Sequence, residues 1–373
     1  MEIRLVDDPA TVEPALAEVD DPVVGVDVER ADGDRYFRSA ALVQVGIEGR
    51  CVLLDATALA DLEPLDRFLE GRLAVLHAAE NDVESLEAAA VRVAGRDRPL
   101  HEQIADTAAA AALLGLPLGL GPLLAELLDV ALTDDKERFQ RADWTERPLS
   151  DEMAAYAAGD VVHLPRLWAE LDARLEAAGR REWYEQELAT LVAQAREDRR
   201  TWRRVRGAGR LDGHGRAVLR AVWEEREELA RSRDIAPQRI ARDEALLAIA
   251  QNPPATLTQL SERGVRGQQI REFGTRFLSA VRQGTRSPDE PAIKGQRAPD
   301  EGDRGTYDRM RRARAAVARE LGIDAGVVCP SRVLMPAILS DPLDADELCE
   351  AAGLRPWQTE LLRDALWDAY TGS

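Results

Sequence analysis

Lysine is almost missing from this chain. Of 49 basic residues only Lys136 and Lys294 are lysine, so any contact to phosphate falls to arginine. Cysteine is scarce too. Cys51, Cys329 and Cys349 are odd in number and widely separated, which argues against a disulfide framework or a cysteine-based zinc site and fits a reducing cytoplasm. The four histidines, His77, His101, His163 and His214, show no zinc-ligand spacing. No run of 18 apolar residues occurs, which argues against a membrane span. The acidic opening MEIRLVDDPATVEPAL lacks the basic-then-apolar order of a signal peptide.

What is present suits a folded protein of two or three domains. The 373 residues are 45% hydrophobic and 31% charged, enough to bury a core. Charge is unevenly spread. Residues 1–200 carry 21 basic and 42 acidic side chains, residues 201–300 carry 19 and 13, and residues 301–373 carry 9 and 13. The first half would repel a polyanion unless cations intervene, whereas the middle segment would attract one.

Strand and helix patterns alternate over roughly residues 1–185. VVGVDVE (23–29) reads as a buried strand. ALVQVGI (41–47) and CVLLDA (51–56) read as a hairpin turning at Glu48-Gly49-Arg50. LAVLHA (73–78) is a further strand, followed by a helix beginning near Asn81. From about residue 104 the pattern is helical, and 166–206 reads as one long charged helical stretch. Two similar all-helical units follow, 213–285 and 305–373. Each opens on an arginine-rich amphipathic helix and has a Pro-bearing turn near its middle, the sign of a divergent repeat. The Pro- and Gly-rich stretch between them reads as a flexible linker.

Four acidic residues stand out. Asp27 and Glu29 lie two apart on the first strand pattern, so their side chains share a face. Asp82 follows the LAVLHA strand. Tyr156 and Asp160 are i and i+4 on a helix, also on one face. Buried carboxylates in pairs are costly unless neutralised, and hard divalent cations prefer oxygen donors. Four such donors brought together could hold two cations for phosphoryl transfer.

These segments resemble known motifs. VVGVDVE with ALVQVG, VLHAAENDVESL, and DWTERPLSDEMAAYAAGDVVHL look like the three exonuclease motifs of the ribonuclease D family. Its members are 3′→5′ exonucleases with four carboxylates and a tyrosine. Trp144, Arg147, Pro148 and Leu149 ahead of Tyr156-x-x-x-Asp160 are the most specific part. The helical units resemble HRDC domains. The resemblance covers essentially the whole chain.

The resemblance implies an α/β ribonuclease-H-like nuclease domain with a mixed central sheet (1–205), an HRDC domain (206–286), a linker (287–304) and a further HRDC-like domain (305–373). It implies Asp27, Glu29, Asp82 and Asp160 as ligands of two Mg²⁺ or Mn²⁺ ions. Tyr156, with Glu29, would position the attacking water. The substrate would be RNA, in tRNA 3′-end maturation or trimming of other structured RNA, with no organic cofactor and a monomeric chain. Asp106, in a further family-like segment, is expected to be structural. Val28 stands where the family often has Thr, and Arg30 where an apolar or aromatic residue is common. Arg203, Arg204, Arg206, Arg210, Arg216 and Arg220 are expected to contact phosphates, and His77 the substrate. A DNA exonuclease with the same chemistry, and a non-catalytic nucleic-acid scaffold, are the alternatives.

Overall fold

The computed structural model describes residues 1–372 except Asp32, Ala60, 133–135, 140–141 and 294–297. Six strands form one sheet: β1 (Glu2–Val6), β2 (Val23–Arg30), β3 (Ala40–Ile47), β4 (Arg50–Asp55), β5 (Leu73–Leu76) and β6 (Ile104–Asp106). Their order is β1-β4-β3-β2-β5-β6. The β2/β3 and β3/β4 pairs are antiparallel, and the others are parallel. This is the mixed sheet expected. Strand β3 is buried along nearly its whole length, which explains why ALVQVGI is a continuous apolar run rather than an alternation.

Four local expectations need correction. Strand β1 was not anticipated: two charged residues in five hide its pattern at the sheet edge. Strand β6 lies where the sequence reads as helical. It has only three residues, too few for a period to register. The hairpin turn is tighter than expected, because Arg50 already pairs with Ile47 and Gly49 takes the left-handed conformation at φ +84°. The single helical stretch divides into Leu164–Ala177 and Arg181–Arg196, split at Gly179 (φ +64°), and then becomes short 3₁₀ turns at Trp202–Arg204 and Ala208–Arg210.

The helices of the first helical unit enclose their own core, built on Val218, Val222, Ile249, Leu260 and Phe277. Tyr36, from the loop between β2 and β3, is buried in that core. The same loop is pinned from outside. Asp234 Oδ1 accepts hydrogen bonds from the backbone N–H groups of Tyr36 (3.2 Å) and Phe37 (3.1 Å), and Arg239 forks onto Asp34. The helices of the C-terminal unit, which begins at Glu301, pack on one another, and their core of Met310, Val328, Leu334 and Trp357 is continuous with the nuclease core. Trp357 stacks on Trp183 at 4.8 Å, and its Nε1–H donates to Glu187 at 2.8 Å.

The expected linker is partly anchored. Arg216 donates to the Glu290 carbonyl, and Ile293 packs on the first unit; residues 294–297 lie outside the described residues. Among the described residues, no helix is long and apolar enough to cross a membrane.

Candidate active site

The helix Asp151–Val162 lies across β2 and β3 because two glycines make room for it. Gly25 and Gly46 are directly paired across the two strands. A Cβ on Gly25 would lie 2.1 Å from the Val161 carbonyl oxygen, and one on Gly46 would lie 2.7 Å from Val161 Cγ2. The helix therefore sits at backbone contact distance. Ser150 caps it, accepting the Met153 N–H at 3.2 Å, and Asp151 and Glu152 occupy its first turn, where the dipole favours acids.

At this spacing Asp160 reaches the sheet. One carboxylate oxygen each from Asp27, Glu29 and Asp160 lies within 4.8 Å of the other two. Asp27 and Glu29 rise from the same face of β2, as period-two geometry requires, and a register shift follows Glu29. Asp82 is buried in the first turn of the Glu80–Ala88 helix. It stands beside this trio rather than within it, close enough for its charge to feel Asp27 and Glu29.

The electrostatics are those of a site short of positive charge. Burial pushes the Asp27 carboxyl above its ordinary value. Burial, then the charges of Asp27 and Asp160, push Glu29 up. Burial, followed by Asp27, Asp106 and Glu29, does the same to Asp82. Arg30 pulls the other way on both Glu29 and Asp82. The Tyr156 phenol is also raised, by burial first and then by Asp160 and Glu29. It stays a neutral donor and hydrogen-bonds Asp160. Its ring is braced by Phe139 at 5.0 Å and Trp144 at 6.1 Å.

Divalent cations fit this donor set, since oxygen-only, acidic, mutually repelling ligands are what hard cations require. A further sign is Gln44, directly opposite Asp27 on β3 and fully buried. Neither its Oε1 nor its Nε2 has a hydrogen-bond partner among the described residues. Sequence reasoning passed over Gln44, although it is the one polar side chain in ALVQVGI.

Other predicted residues are dispersed. Asp106 is structural, as expected: it accepts the N–H groups of Ala78, Ala79, Ala108 and Ala109 and so ties two helix starts together. His77 lies half-buried with Nδ1 2.9 Å from Thr107 Oγ1. Arg203, Arg204, Arg206 and Arg210 are exposed. Arg216 departs from the expected phosphate-binding face: it is buried and bonds the Leu211 and Glu290 carbonyls. Arg220 is held by Glu224 (2.8 Å) and Glu290 (2.6 Å). Its helix repeats every 3.6 residues, so these two arginines turn toward the 287–293 segment, which sequence could not place there.

A family profile described as 3′-5′ exonuclease matches residues 3–176, and an HRDC domain profile matches residues 215–281. The ribonuclease D of Pseudomonas paraeruginosa is 30% identical over 362 residues, covering 93% of this chain and 92% of that protein. The Escherichia coli K12 ribonuclease D is 29% identical over 279 residues, covering 72% and 71%. Among solved structures, Escherichia coli RNase D, described as an exoribonuclease involved in structured RNA processing, aligns with a TM-score of 0.82 at 24% identity, over 100% of this chain and 99% of that one. With a carboxylate cluster where the motifs place it and homology along nearly the whole length, the chain belongs to the ribonuclease D family.

Proposed function

We propose that this protein is a metal-dependent exoribonuclease that removes nucleotides one at a time from RNA 3′ ends and releases 5′-monophosphates. The meeting of the Asp27, Glu29 and Asp160 oxygens within 4.8 Å carries this reading. Asp27, Glu29, Asp82 and Asp160 would hold two divalent cations, Mg²⁺ or Mn²⁺. Bound there, the cations would lower the proton affinity of the attacking water and stabilise charge on the leaving 3′ oxygen.

The chain's own groups do the positioning. The Tyr156 hydroxyl and the Glu29 carboxylate orient the water in line with the terminal phosphodiester, whose bond to the 3′ oxygen breaks. The Phe139–Tyr156–Trp144 packing keeps the phenol from swinging away. Arg203, Arg204, Arg206 and Arg210, in the basic middle segment, attract the phosphate backbone without regard to sequence. The substrates are structured RNAs, tRNA precursors among them. The protein acts as a monomer in the cytoplasm.

The test is a 5′-labelled oligoribonucleotide incubated with Mg²⁺ or Mn²⁺, beside a matched DNA strand. A ladder shortening by single nucleotides, abolished by chelator and by Asp27→Asn, is expected, with RNA preferred. Internal cuts, or full activity in Asp27→Asn, would overturn the reading.

A further inference from the structure

His77 stands at the end of the strand that flanks the carboxylates on the side away from β3. Val75 pairs with Gly25 across β5 and β2 and shares its face. Two residues further along each strand come His77 and Asp27, so the alternation of side chains sets the imidazole beside the first carboxylate of the cluster. The mount is firm. Leu76 pairs with Asp106, and the Asp106 carboxylate accepts the N–H groups of Ala78 at 3.2 Å and Ala79 at 2.8 Å. The backbone is thus held on both sides of His77, and Ala78 turns it toward the Glu80–Ala88 helix in the left-handed conformation, at φ +61°.

Thr107 settles which ring nitrogen carries the proton. Its Oγ1 lies 3.0 Å from the Leu76 carbonyl oxygen and 2.9 Å from His77 Nδ1. A carbonyl has no proton to give, so the single hydroxyl proton points at Leu76. Toward the ring Thr107 is therefore an acceptor, and Nδ1 carries the hydrogen between them. A neutral imidazole has one N–H, so Nε2 is the acceptor of this ring. Thr107 is fully buried, which keeps solvent from exchanging these roles. An acceptor in this place selects among the groups of a nucleic-acid backbone. Phosphate oxygens and sugar ring oxygens only accept. Hydroxyls alone donate, and the 2′-hydroxyl is the one that RNA has and DNA lacks.

We propose that His77 reads the sugar: its Nε2 accepts a hydrogen bond from a ribose 2′-hydroxyl flanking the scissile phosphate, and Thr107 keeps the ring in the tautomer that can do so. The proposal rests on the exoribonuclease reading and goes beyond it, assigning the preference for RNA to two side chains. A phosphate held at Asp27 brings the riboses on either side of it within reach of a ring beside Asp27. His77 is then a specificity-determining residue and Thr107 a positioning one.

The test uses short RNA strands that differ at one sugar, with 2′-deoxy or 2′-fluoro at the last or the next-to-last nucleotide. One neutral hydrogen bond discriminates modestly, so in the wild type one of the two deoxy strands is expected to lose about five- to tenfold in kcat/KM. The 2′-fluoro strand keeps a ribose-like pucker but cannot donate, and is expected to lose as much. The position that matters tells which ribose is read. His77→Phe and Thr107→Val are expected to abolish the difference between strands, and His77→Gln, whose amide oxygen reaches the place of Nε2, to restore part of it. Each ratio is taken within one protein, so changes in folding or metal affinity cancel. The same ratios are read as Kd by fluorescence anisotropy with Ca²⁺ in place of Mg²⁺. A ratio unchanged in either variant, a 2′-fluoro strand shortened like its parent, or a His77-dependent loss on removing only the terminal 3′-hydroxyl would overturn the proposal. Should no strand be shortened while His77 still sets the Kd ratio, the catalytic reading fails and the assignment of His77 stands.

Discussion

Arg147 grips Asp55 with two parallel hydrogen bonds, Nε to Oδ2 at 2.5 Å and Nη2 to Oδ1 at 2.6 Å. The same guanidinium donates to the Trp144 carbonyl at 2.8 Å and to the Ala41 carbonyl at 3.3 Å. It thereby fastens the segment leading into the Tyr156–Asp160 helix to the ends of β3 and β4. Breaking a largely buried pair costs about 3–5 kcal/mol. Arg147→Ala is expected to lose about 3 kcal/mol in urea unfolding and most of kcat. Arg147→Lys keeps the charge without the fork and is expected to recover little of either.

Acid should act through this same pair. Burial opposes ionisation of Asp55, but hydrogen bonds from Arg147 and Thr57 outweigh it and hold the carboxyl below its ordinary value. The unfolded chain, with a carboxyl near pKa ~3.9, then binds more protons than the folded one in the interval below that value. Stability rises with pH there. The contribution is complete above about pH 4 and is lost as pH falls through the folded value. Wild-type urea midpoints are expected to drop below pH 4 more steeply than those of Asp55→Asn; parallel curves would refute this.

The carboxylate trio predicts opposite responses to chelator and to metal. In chelator, Asp160→Asn relieves repulsion and is expected to melt higher than the wild type. Adding Mn²⁺ at a hundred times its Kd stabilises a binding-competent fold by about 2.7 kcal/mol, so the wild type gains and the variant gains much less. Differential scanning calorimetry reads both, and identical gains would refute the assignment.

Tyr156→Phe keeps the ring between Phe139 and Trp144 and removes only the hydroxyl. A single positioned acid–base group is worth about 10²–10⁴ in rate, and an orienting donor belongs at or below the low end. Expected is a loss of kcat by about ten- to a hundredfold with KM little changed; a change in KM alone would remove the hydroxyl from the reaction.

Gln44→Leu should make the protein more stable and a worse enzyme. A buried amide without a partner costs about 1–3 kcal/mol, so the metal-free variant is expected to unfold at higher urea. Turnover is expected to fall, since Gln44 is paired with Asp27 across β2 and β3. Unaltered turnover would deny Gln44 a place at the site.

Much of the site was legible because its signals are local. Asp27-x-Glu29 and Tyr156-x-x-x-Asp160 announce shared faces through the periods of strand and helix. Arg147 was legible as a motif residue, but not as the partner of Asp55, which is 92 residues away. Long-range facts stayed hidden. The first helical unit reads as an appendage in sequence, yet Tyr36 fills its core. The C-terminal unit reads as a bundle, and nothing local tells that its core runs through Trp357 into that of the nuclease. Deleting everything after residue 206 strips Trp183 and Tyr36 of their cover. Strand β6 was hidden for a different reason: three residues hold no pattern, and only pairing with β5 defines them.

The glycine pair under the Asp151–Val162 helix has a last consequence. The gap between Asp160 and the β2 carboxylates is gauged by what two positions leave out, a hydrogen where other residues carry carbon. A methyl at Gly25 would act as a shim, lifting the helix and prising the oxygens apart without the loss of a single carboxylate. Inactivation of this enzyme therefore does not require touching its chemistry; thickening the floor beneath it is enough.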